Sequence, residues 1–88
     1  MFRMWGKIWK DNRLIRDTIA ENGDYSLSRT AMVLQGLQQI CHDLDLSVPI
    51  WLDSSISDFR RHDKTRFTAD NFIEEIDFDY LEIQVLEE

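Results

Sequence analysis

The hydrophobic period of this chain changes twice, and that change bounds the fold more tightly than any other feature of the sequence. Period two opens it: Phe2, Met4, Gly6 and Ile8 fall on one face of a strand, and Arg3, Trp5, Lys7 and Trp9 on the other. The spacing predicts a strand over residues 2–10. Asp11-Asn12 follows, a turn dipeptide whose side chains tolerate left-handed backbone, and Arg13 to Ala20 then alternates again, so the pair reads as a hairpin. From Ser28 to Leu46 the period lengthens. Val33, Leu34, Leu37, Ile40, Cys41 and Leu44 recur at three- and four-residue spacing while Gln35, Gln39 and Asp43 point away, the pattern of an amphipathic helix. Beyond Asp77 period two returns, with Leu81, Ile83 and Val85 on one face and Phe78, Tyr80, Glu82 and Gln84 on the other, which predicts a strand over residues 78–86.

Shorter signals punctuate these segments. Glu21-Asn22-Gly23-Asp24 is a breaker cluster, after which Ser26 or Ser28 offers a side-chain oxygen to cap the long helix. Pro49 stops that helix, and Val48-Pro49-Ile50-Trp51-Leu52 reads as an extended apolar link or a short edge strand. A second helix is expected from Asp53, as its cap, to His62, burying Ile56 and Phe59 and placing Arg60, Arg61 and His62 in the last turn, where the helix dipole favours positive charge. Asp70 is expected to cap one further turn through Phe72 and Ile73. The chain order strand, strand, helix, helix, strand gives an α+β fold: a small antiparallel or mixed three-stranded sheet, the last strand beside the first, with two helices packed on one face.

Eighty-eight residues suit one domain, and 43% hydrophobic side chains with ten aromatics are enough apolar surface to offset the ordering of the backbone. Lys7 and Lys10 interrupt the N-terminal apolar residues, so no signal-peptide core or membrane span is expected, and the expected location is cytoplasmic. The single cysteine, Cys41, fits a reducing compartment and lies on the apolar side of the long helix, where it reads as a small buried side chain.

Charge is distributed unevenly. The last fifteen residues, Glu74 to Glu88, hold seven acids and no base, whereas Met1 to Ile73 balances ten acids against ten bases, so the whole net charge of −7 resides at the C-terminal end. That balance argues against bulk nucleic-acid binding, which needs a positive field. The one basic segment is Arg60-Arg61-His62-Asp63-Lys64-Thr65-Arg66, immediately upstream of the acids.

Two strings, Pro49-Ile50-Trp51-Leu52-Asp53 and the run from Arg66-Phe67-Thr68-Ala69-Asp70-Asn71-Phe72-Ile73 through Glu74-Glu75-Ile76-Asp77-Phe78-Asp79-Tyr80-Leu81-Glu82-Ile83, resemble those of a family of short uncharacterised bacterial proteins. The resemblance implies a bacterial origin and carries no activity, ligand or catalytic residue with it.

Several chemistries are disfavoured by inventory. Zinc wants four ligands, and the chain offers Cys41, His42 and His62, of which the first two diverge on a helix. Three unpaired glycines make no phosphate-cradling loop, and neither histidine sits in a nucleophile signature. No catalytic residue, metal ligand or cofactor is therefore assigned. Glu75, Asp77 and Asp79 would share a face about 6.5–7 Å apart if they lay on one strand, and oxygen ligands of that kind suit Mg²⁺ or Ca²⁺. Acids on an outer strand equally keep a sheet edge from pairing. Trp5 and Trp9, alternating with Arg3 and Lys7, suit either a core, a protein contact or stacked single-stranded bases.

The expected function is that of a small non-catalytic accessory or protein-interaction module, through Trp5, Trp9, Arg60, Arg61, Lys64, Arg66, Glu75, Asp77 and Asp79, with a protein partner or a second copy, and with no membrane. A small enzyme or a Mg²⁺- or Ca²⁺-binding domain on the acidic segment is one alternative. A nucleic-acid binder through Arg3, Trp5, Lys7 and the Arg60 to Arg66 bases is another.

Overall fold

A computed structural model describes residues 1–88. The hairpin forms where the alternation places it: β1 (Phe2–Lys10) pairs antiparallel with β2 (Arg13–Asn22). Asp11 and Asn12 both take left-handed backbone, φ 53° and 62°, which matches the twist of the flanking strands and closes a two-residue turn. A bulge at Ile15 lets Leu14 face Trp9, and β2 runs two residues past Ala20.

Helix α1 (Arg29–Asp43) is capped by the Ser28 hydroxyl, which accepts from the Ala31 N–H at 3.1 Å. It ends in a Schellman arrangement: Leu46 N donates to Cys41 O and Asp45 N to His42 O, with Asp45 left-handed at φ 57° in the position that glycine usually takes. Helix α2 (Asp53–His62) spans the expected residues, but Leu52 is its cap and Asp53 its first residue, so the Asp53 carboxylate acts on the helix dipole and no side chain caps the end.

The sheet has four strands, not three. After α2 the chain reverses at left-handed Asp63 (φ 55°) and enters β3 (Lys64–Phe67), which pairs antiparallel with β4 (Tyr80–Glu87). The order β2-β1-β4-β3 places the last strand beside the first, and every pairing is antiparallel. The turn expected from Asp70 is a single 3-10 turn over Ala69–Asn71, capped by Thr68 instead, and Asp70 lies inside it.

Both helices cover one sheet face. Phe2, Met4 and Ile8 of β1, Leu81 and Ile83 of β4 and Phe67 of β3 meet Leu37, Ile40 and Cys41 of α1 and Phe59 of α2 in one core. Gly6 allows the closest approach of helix and sheet, because Ile40 of α1 occupies the space its Cβ would take. The link Val48–Leu52 makes no strand. It is tied by buried Asn71, whose side-chain amide donates to Ile50 O at 2.9 Å and to Ser55 Oγ at 3.0 Å, while Ile50 N donates to Asn71 O at 2.6 Å. Trp51 of the link packs edge-on against Phe59 and Phe67 at 5.6 and 5.0 Å. No helix is long and apolar enough to cross a membrane.

Candidate functional site

With the helices on one side, the other side of the sheet is uncovered, and alternation determines what it shows. From β1 come Arg3, Trp5, Lys7 and Trp9; directly opposite on β2 stand Glu21, Ile19, Asp17 and Leu14. On the other side of β1 the register brings Glu87, Gln84, Glu82 and Tyr80 of β4 against the same four residues, and Lys64 and Arg66 of β3 complete the face. Four bases and four acids therefore share this surface with two tryptophans, a tyrosine, a leucine and an isoleucine.

Every one of these charges except Lys64 has a partner in place. Lys7 Nζ lies 2.9 Å from Glu82 Oε1, donates to Gln84 Oε1 at 3.1 Å and sits 4.2 Å from the centre of the Trp5 ring. Trp5 in turn donates its indole N–H to Asp17 at 2.9 Å. Arg66 reaches the second Glu82 oxygen at 3.4 Å and places its guanidinium 4.7 Å over the Tyr80 ring. Arg3 Nε faces Glu21 at 3.2 Å, and the α-amino group faces Glu87 at 3.4 Å. Although no helix covers them, Lys7 and Glu82 are each only 7% exposed, because the neighbouring aromatic rings and Arg66 close over them. Burial alone would raise the Glu82 carboxyl, but the hydrogen bonds and charges of Lys7 and Arg66 prevail and hold it below the ordinary glutamate value. Toward the β2 edge the face opens, with Leu14 42% and Ile19 41% exposed alongside Asp17 and Glu21.

The sequence placed Trp5 and Trp9 on the face with Arg3 and Lys7, and the structure keeps them there, half-buried, with Trp9 tilted against Tyr80 at 6.4 Å. The basic segment does not stay together. Lys64 and Arg66 lie on the sheet face, while Arg60 and Arg61 end α2 in the opposite layer, exposed. The acidic segment divides as well: Glu82, Glu87 and Glu88 each meet a cation, Glu88 through Arg29, whereas Glu74, Glu75, Asp77 and Asp79 lie in the loop before β4. Because β4 begins at Tyr80, Glu75, Asp77 and Asp79 never share a strand face. Asp79 instead accepts the Asp11 N–H at 2.9 Å, and no three His, Cys, Asp or Glu side chains converge as a metal group would require.

The carriers of acid-base chemistry are likewise dispersed. Glu75 and Asp77 line a hollow of about 190 Å³ that contains no histidine; His42 lines a groove beside α1, and His62 a third beside β3. Cys41 is buried, and desolvation pushes its thiol up to about 11, so it is inert at neutral pH. The residues that sequence reasoning missed are Lys7 and Glu82 as a pair, and Tyr80. Alternation put both charges on outward faces, but only the β1–β4 register shows that they are opposite each other.

No family model, no curated protein and no solved structure matches this chain. The geometry alone carries the functional reading.

Proposed function

We propose that this chain is a small non-catalytic protein-interaction module that meets its partner with the uncovered face of the sheet. The observation supporting this is that every charge of the face except Lys64 has a partner in place, while Leu14 and Ile19 stand open and Trp5, Trp9 and Tyr80 are half-buried beside them. Such a surface gains little from a charged ligand and much from burying Trp5, Trp9, Tyr80, Leu14 and Ile19 against another protein, since aromatic anchors dominate interface energies. It is also locally neutral on a chain of net charge −7, so a partner approaching there meets no opposing field. The partner that fits is an apolar helix or sheet face rimmed by polar groups.

Nucleic acid is the second reading, favoured by the presence of Arg3, Lys7, Lys64 and Arg66 beside Trp5 and Tyr80 on one face. Against it, a phosphate would have to displace Glu82 from both Lys7 and Arg66, and Arg60 and Arg61 are in the other layer. Co-purification from the native host separates the readings. Ile19→Glu and Trp5→Glu should each lose a protein that wild type and the helix-side variant Gln38→Glu retain. Retention of that protein by all four baits, or nuclease-sensitive recovery, would count against a protein-binding face.

A further inference from the structure

A second surface carries an inference independent of the sheet face. Between α1 and α2 runs a groove of about 330 Å³, floored by Leu34, Trp51, Ile56 and Phe59 and rimmed by Arg29 and Arg60. Its floor is open: Leu34 is 45% and Ile56 38% exposed. The volume is at the small end of ligand pockets, enough for one or two side chains rather than a cofactor. Arg29 already shows the chemistry of the rim, since its guanidinium bonds the carboxylates of Asp63 at 2.7 Å and Glu88 at 2.5 Å and stacks over Phe59. Arg60 is exposed and pairs with no acid.

The complement of this groove is on the same chain. Ile73 is 86% exposed, the most exposed large apolar side chain in the molecule, and Glu74 and Glu75 follow it directly. An aliphatic knob backed by two carboxylates is what an apolar floor with arginines at its rim receives. The knob cannot reach its own groove. Its loop packs beside Asp45 and Leu46 past the C-terminal end of α1, the groove lies at the N-terminal end, and 15 helical residues at about 1.5 Å each separate them by roughly 20 Å.

We propose that the Ile73-Glu74-Glu75 loop of one copy docks in the α1–α2 groove of a second copy, Ile73 on the apolar floor and its glutamates toward the unpaired Arg60 at the rim. The contact is heterologous, so it propagates head to tail until a ring closes or a filament grows.

Sedimentation at about 0.15 M salt tests this, because the Debye length there is about 8 Å and the repulsion between two chains of charge −7 is largely screened. Wild type should sediment above the 10.5 kDa monomer in a concentration-dependent manner. Ile73→Asp and Arg60→Glu change exposed side chains, so both should keep the wild-type melting profile, and each should weaken association by roughly tenfold or more, as loss of an interface anchor does. The decisive sample is their mixture. Ile73→Asp retains a groove and Arg60→Glu retains a knob, so the two together should form one 1:1 heterodimer that grows no further. Wild type that stays monomeric up to millimolar concentration would overturn the proposal. So would association that survives both substitutions, or a mixture that remains monomeric while its components are folded. Should Arg60→Glu lower the melting temperature, Leu34→Glu replaces it as the groove-blocking variant, with the same outcomes.

Discussion

Gly6 stands in the middle of β1 because Ile40 of α1 packs straight onto its backbone, and replacing it tests whether the helix sits where the structure puts it. An alanine Cβ would overlap Ile40 Cγ2 and lie 3.1 and 3.2 Å from Cδ1 and Cγ1. Ile40 is wholly buried, and a β-branched side chain in a helix has essentially one χ1 available, so it cannot swing aside. Overpacking of this kind costs about 1–3 kcal/mol, and the entropic gain of alanine over glycine in a strand returns roughly 0.5–1 kcal/mol. Gly6→Ala should therefore lose about 1 kcal/mol, roughly 4–8 °C in melting temperature for a chain of this size. Ile40→Ala alone should cost about 2–5 kcal/mol through the cavity it leaves. In the double variant the new methyl enters the vacated space, so the two losses should fail to add by about 2 kcal/mol. Gly36 supplies the contrast: its Cβ would meet only the mobile end of Met4 at 2.9 Å, and alanine gains up to about 1 kcal/mol in a helix interior, so Gly36→Ala should be neutral or stabilising. Urea unfolding of the five proteins, wild type included, measures all of this. A Gly6→Ala protein as stable as wild type, or strictly additive losses, would refute the packing.

Three further outcomes follow from the same core and face. Leu37→Ala, at a side chain 1% exposed, should destabilise by about 2–5 kcal/mol in chemical denaturation, whereas Gln39→Ala on the outer side of α1 should fall within about 0.5 kcal/mol of wild type. The native Cys41 thiol should resist a thiol reagent at neutral pH and react only at the rate of unfolding; immediate labelling of folded protein would contradict its burial. Lys7→Met should cost about 3 kcal/mol by leaving Glu82 with Arg66 alone, and Lys7→Met with Glu82→Leu should recover most of it. Because the folded Glu82 carboxyl lies below its ordinary value near 4.5, its stabilisation is complete above that pH and disappears as the pH falls through the folded value. Melting temperatures between pH 6 and 3 should accordingly fall more steeply for wild type than for Glu82→Gln.

The sequence made legible those elements in which one period persists for several turns or several residues. Alternation over β1 and β4 and the three-and-four spacing of α1 each bury a stripe, so most inward positions were legible, down to Gly6. Leu34, expected on the apolar side of α1, and Ile56, expected buried in α2, are 45% and 38% exposed; Phe78, expected outward, is buried before β4 begins; and β2 buries only Ala20. β3 was not legible, because four residues present only two inward positions, Thr65 and Phe67, and Lys64 and Arg66 read only as part of the basic segment Arg60 to Arg66. The same short length split the basic segment: left-handed Asp63 turns the chain between Arg61 and Lys64 and sends the two halves to opposite layers. For the acids, composition showed the charge but not its partners, which depend on long-range register. Glu82 is 75 positions from Lys7 and is matched to it only through β1–β4 pairing.

Site-specific photo-crosslinking in the native host tests the central claim most directly. A photoreactive residue placed at Leu14 or Ile19, exposed at the open rim of the sheet face, should capture one and the same protein, and the same residue at Gln38 or Asp58 on the helix layer should not. Capture of that protein from the helix positions while Leu14 and Ile19 capture nothing would contradict the assignment of the uncovered sheet face as the binding surface.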